Sequence, residues 1–137
     1  TSEAERVHAH SHFRAMKDIS GDFAVTSGAG FGDHGTSKNL EAAAGGERFE
    51  FTEMYPSYIL VAKEQGEEAA QKSMQFAIEA EIVHEKLFLK AKEAVDAGKD
   101  LEAEKIYVCP VCGFISLTGE EEKCPICGAP KSKFIEF

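Results

Sequence analysis

The sequence predicts a mainly α chain in two parts: a helical bundle over residues 1–104 and a small cysteine-ligated metal domain over 105–137. Three observations predict it. Three stretches repeat apolar residues at the helical period. Each also places acidic or imidazole side chains three residues apart on one face. All four cysteines fall in the last thirty residues, as two C-x-x-C pairs.

A chain of 137 residues holds one modest core and a small appendage. Its formal net charge of −9 and pI near 5.0 argue against a nucleic-acid surface, which needs clustered Lys and Arg. The longest clean apolar run is "YILVA" (58–62), far too short for a bilayer, so no membrane partner is expected. No signal-peptide pattern opens the chain. Cysteines at ligand spacing, rather than scattered as in a disulfide framework, predict a reducing compartment, the cytoplasm.

The first helix is predicted over 2–19, where Glu5, His8, His12, Met16 and Ile19 share a face. From Gly21 to Gly46 stand seven of the twelve glycines, and the period vanishes, which predicts a long crossover over about residues 20–38. Bundles with one long crossover are of the ferritin-like kind. A second helix is expected from a cap at Ser37 or Asn39 to Gln65, its face including Glu50, Glu53, Ser57, Leu60, Val61 and Glu64. Gly45 and Gly46 weaken its first turns. Pro56 predicts a kink one turn after Glu53, because it removes one backbone donor and crowds the carbonyl of Thr52. The third helix, 67–97, opens on acidic residues and closes at Gly98. Its stripe is Met74, Ala77, Ile78, Phe88, Ala91 and Val95, and Glu81 and His84 take the next steps of that same stripe. The polar linker "GKDLEAEK" then leads to the cysteines.

The acid pairs carry the chemistry. Residues three apart on a helix have Cβ atoms about 5–6 Å apart, and the sequence offers Glu5-x-x-His8, Glu50-x-x-Glu53 and Glu81-x-x-His84. Taken alone, Glu5 and His8 read as a solvated face, or as a capping box of Ser2 with Glu5. Glu81 and His84 do not, because their stripe is apolar. A buried, unpaired glutamate either costs several kcal/mol or takes up a proton. The four carboxylates balance two divalent ions, and the neutral imidazoles complete coordination. Oxygen and imidazole donors suit iron or manganese better than a structural zinc site. His10 and His34 are expected in solvent, and His12, one turn beyond His8, in a packed or exposed position.

"CPVCGF" and "CPICGAPKSKF" supply Cys109, Cys112, Cys124 and Cys127, with eleven residues between the pairs. Each C-x-x-C-G turn aims backbone N–H groups at sulfur, and Gly113 and Gly128 accept the positive φ such a turn demands. Four thiolates favour a tetrahedral site for iron or zinc. The repeated C-P-x-C-G and the following "APKSKF" resemble rubredoxin, whose Cys₄ site holds one iron; the loop between knuckles is shorter here.

Taken together, "AERVHA", "FEFTEMYPSY", "AEIVHEKLF" and the cysteine segment resemble the rubrerythrin family, a ferritin-like di-iron bundle followed by a rubredoxin-like domain. The resemblance implies that Glu5 and Glu81 bridge two irons, that Glu50 and His84 serve one and that His8 and Glu53 serve the other. Glu53 and His8 exchange as ligands with redox state in that family, and so carry the catalytic roles. It further implies a peroxidase that reduces hydrogen peroxide to water in oxidative-stress defence, with a third iron at the Cys₄ site, or zinc as its substitute. Electrons would come from NAD(P)H through a separate reductase or rubredoxin, since the chain has no dinucleotide fingerprint. A homodimer is implied, with one chain's rubredoxin-like domain approaching the other's bundle. The family's first helix and the front of its second have no counterpart here, so three helices leave one side open. The sequence predicts that the missing segment was cut away and persists as a separate N-terminal fragment, or that a helix-exchanged dimer covers the gap. Two rival functions use the same residues: a ferritin-like ferroxidase or oxygen reductase, and a non-enzymatic zinc-ribbon scaffold.

Overall fold

The computed structural model describes residues 1–16, 20–22, 24, 32 and 34–137. Among these residues four α-helices precede a three-stranded sheet: α1 (Ser2–Ala15), α2 (Thr36–Phe49), α3 (Tyr55–Glu64) and α4 (Glu68–Asp96). The strands are β1 (Tyr107–Val108), β2 (Ile115–Ser116) and β3 (Ile135–Glu136), antiparallel in the order β2-β1-β3. The fold is the mainly α, ferritin-like bundle with a small C-terminal four-cysteine domain.

Helix boundaries depart from the sequence expectation in instructive places. α1 ends at Ala15 with Met16 as its cap, and Ile19, expected on its face, lies outside the described residues. α2 starts at Thr36 behind Gly35, earlier than either expected cap, and stays helical through Gly45 and Gly46. Its inward residues Ala44 and Glu47 pack toward α4, and that tertiary packing outweighs glycine's poor propensity. Asn39 instead accepts the His34 N–H on its side-chain oxygen.

The expected kink at Pro56 takes the form of a wide π-turn over Glu50–Met54. Proline has no N–H for the carbonyl four residues back, and just ahead of it the Tyr55 N–H reaches Glu50 O, five residues back. Two hydroxyls cover backbone carbonyls there: Thr52 Oγ1 donates to Arg48 O at 2.7 Å and Ser57 Oγ to Glu53 O at 2.7 Å. A wide turn advances fewer degrees per residue, so the helix beyond it is out of phase with α2. The face expected over Glu53, Ser57, Leu60, Val61 and Glu64 is therefore turned to solvent, and Tyr55 and Ala62 point inward instead.

α4 is the organising element, packed against α1, α2 and α3. Ala4 on α1 and Ala77 and Ala80 on α4 have no exposed surface, so small side chains fill the tightest part of the bundle. The cysteine domain docks on the same two helices: Val108 and Ile115 pack with Ala4 and Leu87, and Cys109, Cys112, Phe114 and Cys124 with Phe76 and Val83. Among the described residues, no helix is long and apolar enough to cross a membrane.

Candidate metal centres

In the bundle, ligand atoms of Glu5, Glu47, Glu81 and His84 lie within 4.8 Å of one another. Glu81 and His84 are wholly buried, and Glu47 nearly so; Glu5 leaves 46% of its side chain exposed and forms the open edge. His8 adds its Nδ1 at 3.0 Å from Glu81 Oε1 and 3.4 Å from Glu5 Oε2, and its ring stacks 6.0 Å from that of His84. Glu50 is half-buried beside them.

The imidazoles are oriented from behind. His84 Nε2 is 2.9 Å from the carbonyl of Gly113, and His8 Nε2 is 3.0 Å from that of Cys112. A carbonyl only accepts, so both Nε2 atoms carry the proton and both Nδ1 lone pairs face the carboxylates. His84 Nδ1 lies 2.7 Å from Glu81 Oε2, yet that nitrogen and both Glu81 oxygens lack a hydrogen-bond partner among the described residues. Lone pairs converging without hydrogen between them are what a cation satisfies, and a ligand histidine held through its other nitrogen is the usual companion of such a site. The residues therefore fit a carboxylate-bridged di-iron pair.

Without a cation, protons must take its place. Burial alone would depress both histidines, but hydrogen bonds donated to Glu5 and Glu81 lift His8 to about 10, and those donated to Glu47 and Glu81 lift His84 to about 9. Burial pushes the Glu81 acid up, and the two histidines more than reverse it, to about 2. Glu50 has no such cation: burial, then the charges of Glu81, Glu5 and Glu47, raise it to about 7. Burial and the neighbouring Glu81 also raise Glu47.

One expected ligand is corrected. Glu53 is exposed and outside the cluster, and Glu47 stands inside in its stead. Sequence offered Glu47, Glu50 and Glu53 at equal spacing, and the π-turn decides among them by swinging Glu53 outward. His12 takes the packed one of its two expected positions. It is half-buried, with Nδ1 2.8 Å from Ser73 Oγ and Nε2 3.2 Å from the Tyr55 hydroxyl. His10 and His34 are exposed, as expected.

In the second centre the sulfurs of Cys109, Cys112, Cys124 and Cys127 also lie within 4.8 Å of one another. The closest approaches, 3.5 Å for Cys109 with Cys127 and 3.4 Å for Cys112 with Cys124, are far too long for disulfides. The knuckles match: Gly113 N–H bonds Cys109 O and Gly128 N–H bonds Cys124 O, with φ of 79° and 75°. Hydrogen bonding from Cys112, aided by the Val111 and Cys112 amides, pulls Cys109 down to about 5. Crowding against that thiolate then pushes Cys112 up, and burial lifts Cys127 to about 11. A soft cation removes this conflict, and the set fits a rubredoxin-like iron.

The comparisons agree with this geometry. The rubrerythrin family model matches residues 1–92, and the rubrerythrin rubredoxin-like domain model matches residues 107–135. Rubrerythrin-2 of Clostridium acetobutylicum is 42% identical over 98% of this chain and 73% of its own length. Nigerythrin of Nitratidesulfovibrio vulgaris is 32% identical over 100% of this chain and 66% of its own. A solved structure of nigerythrin in its fully reduced, all-ferrous state superposes with a TM-score of 0.86 at 31% identity, covering 98% of this chain and 65% of that one. The chain thus spans about two thirds of the length of these relatives.

Proposed function

The chain belongs to the rubrerythrin family, and from that premise we propose that it is a peroxidase. Hydrogen peroxide is reduced to water in the bundle site, with electrons relayed through the Cys₄ site from NAD(P)H by way of a separate reductase or rubredoxin. The proposed di-iron ligands are Glu5, His8, Glu47, Glu50, Glu81 and His84; Cys109, Cys112, Cys124 and Cys127 hold the third iron. When bound, the iron pair supplies two electrons to an O–O bond and the thiolate iron restores them one at a time.

The chain's own residues do the rest. Glu5, Glu47, Glu50 and Glu81 offset the cation charge, with Glu47 and Glu81 buried and Glu5 at the open edge. Glu50, half-buried beside the cluster, completes the acidic donor set. His8 and His84 present bare Nδ1 atoms because the carbonyls of Cys112 and Gly113 fix their Nε2 protons.

One observation carries the reading: the backbone of the first cysteine knuckle is hydrogen-bonded to both histidines of the bundle site. This gives a short, dry, through-bond connection between two redox ligand sets. It also lies within one chain, whereas the family resemblance implied an approach between chains. The test is anaerobic reconstitution with iron, followed by stopped-flow oxidation of the reduced protein with H₂O₂ and, separately, with O₂. Faster oxidation by peroxide supports the peroxidase, faster oxidation by O₂ the oxygen reductase. A colourless, zinc-filled protein inert to both would sink either enzyme.

A further inference from the structure

We infer that His12 is a positioning residue for proton delivery, the middle of a hydrogen-bonded chain from a surface cleft to Tyr55 beside the bundle site. The inference rests on the peroxidase reading. Breaking the O–O bond of one H₂O₂ to give two waters takes two electrons, from the reduced iron pair, and two protons, which must come from solvent. The immediate surroundings of the site offer few protons, because its carboxylates are acceptors and its histidine protons are committed to the carbonyls of Cys112 and Gly113.

The chain of contacts crosses three helices. Ser73 Oγ on α4 donates to Ser11 Oγ on α1 at 2.9 Å, so its oxygen accepts from His12 Nδ1–H at 2.8 Å. His12 Nε2 is then the acceptor for the Tyr55 hydroxyl on α3 at 3.2 Å. At the outer end Ser11 and Ser73 line a cleft of about 280 Å³ together with Arg14 and Lys72. At the inner end Tyr55 is buried, directly after the wide turn that begins at Glu50. Burial, then the charges of Glu81, Glu50, Glu5 and Glu47, hold its hydroxyl above the ordinary value, so it remains a proton donor.

A relay needs a neutral ring with one donor and one acceptor nitrogen. Burial holds His12 below its ordinary value and keeps it in that form. The titratable and charged groups around it are Glu5, His8 and Arg14 on α1, Tyr55 and Tyr58 on α3, Glu67 ahead of α4, and Lys72 and Glu81 on α4. The ring first exchanges Nδ1–H for Nε2–H and the Ser73 and Tyr55 hydroxyls turn inward; a proton from Ser73 then passes to Nδ1, Nε2–H to Tyr55 and the Tyr55 proton to the peroxide oxygen, which restores the contacts described, and solvent in the cleft replaces the Ser73 proton through Ser11.

The test compares wild type, His12→Gln and Tyr55→Phe. Gln retains a donor and an acceptor but carries no proton, so a merely structural His12 is rescued by it and a relay is not. With wild type turning over peroxide, His12→Gln is expected to slow turnover by roughly 10²-fold and to flatten its pH profile, with iron content and Tm unchanged. Nitrogen-15 NMR of the zinc-loaded protein gives a second readout: a ring protonated on Nδ1, whose Nε2 resonance shifts in Tyr55→Phe. Wild-type turnover in His12→Gln, or an Nε2 resonance indifferent to Tyr55→Phe, would overturn the relay. Absence of peroxide turnover in every protein, wild type included, marks failure of the peroxidase reading instead, and the NMR result then still decides whether the chain of contacts exists.

Discussion

His84 donates its Nε2 proton to the carbonyl of Gly113 at 2.9 Å, so a residue of the cysteine domain sets the tautomer of a bundle ligand. Gly113 is doubly constrained: its φ is +79°, and a Cβ added there would stand 2.4 Å from His8 Nε2. Gly128, at the matching place in the second knuckle, has φ +75° but open space around it.

Replacing each glycine by alanine separates backbone strain from collision. Gly128→Ala should cost roughly 1–3 kcal/mol in strain alone. Gly113→Ala should cost more and also displace His8, lowering iron occupancy of the bundle while the visible spectrum of the Cys₄ iron persists. Thermal unfolding and metal counting on both variants check this, and equal occupancy in the two would remove the collision.

Glu47 and Glu53 should behave oppositely. Glu47→Ala removes a buried carboxylate from the cluster and is expected to weaken iron binding at least tenfold, by comparison with the losses seen when even supporting groups of metal sites are removed. Glu53→Ala alters an exposed side chain and should leave both bundle irons and peroxide turnover unchanged. Iron titration of the two variants decides the register; a metal-depleted Glu53→Ala protein would restore the sequence expectation.

With the Cys₄ site filled and the bundle site metal-free, the protein should lose stability as pH rises above about 5. Glu50 is raised from 4.5 to about 7, so the unfolded chain gives up its proton first and folding is penalised progressively between those values. His8 and His84, raised from 6.5 to about 10 and about 9, stabilise fully below 6.5, and that contribution disappears as pH climbs through 9 to 10. Glu81, lowered to about 2, acts in the other direction, its contribution lost as pH falls from 4.5 toward 2. Tm measured from pH 3 to 10 should therefore peak near 5 without metal and broaden toward alkaline pH with a divalent ion bound. A metal-free Tm that climbs between pH 5 and 8 contradicts the protonation pattern.

Zinc exchanged into the Cys₄ site alone should separate the two half-reactions. Its fit to four thiolates preserves the knuckles, so a single oxidation of the reduced bundle by peroxide should proceed at the native rate, while sustained NAD(P)H-linked turnover stops. Because the knuckle docks on helices of its own chain, re-reduction in the iron form should not depend on protein concentration. A rate that falls on dilution would place the transfer between chains.

Much of this architecture was legible in the residue order. Glu81 and His84 betrayed themselves by standing on an apolar stripe, and the two C-P-x-C-G turns by their spacing. Glu47 did not, because it follows two glycines in a polar run, and three glutamates at equal spacing define two pairs. Only the π-turn chooses between them, and Pro56 announces a break in the helix without saying how far the phase shifts there. The partners of His12 were out of reach for a related reason: Ser73 and Tyr55 are 61 and 43 residues away, a distance no periodicity reports.

The same π-turn leaves the chain with what amounts to one surplus residue between α2 and α3. Deleting a single position between Phe51 and Met54 would let the two helices join in ordinary phase, a rare instance of a shortened chain gaining regularity. What such a deletion would sacrifice is the independence of its two ends: Glu47 and Tyr55, each now aimed by its own helix, would be locked to one rotation, and aligning either would misalign the other.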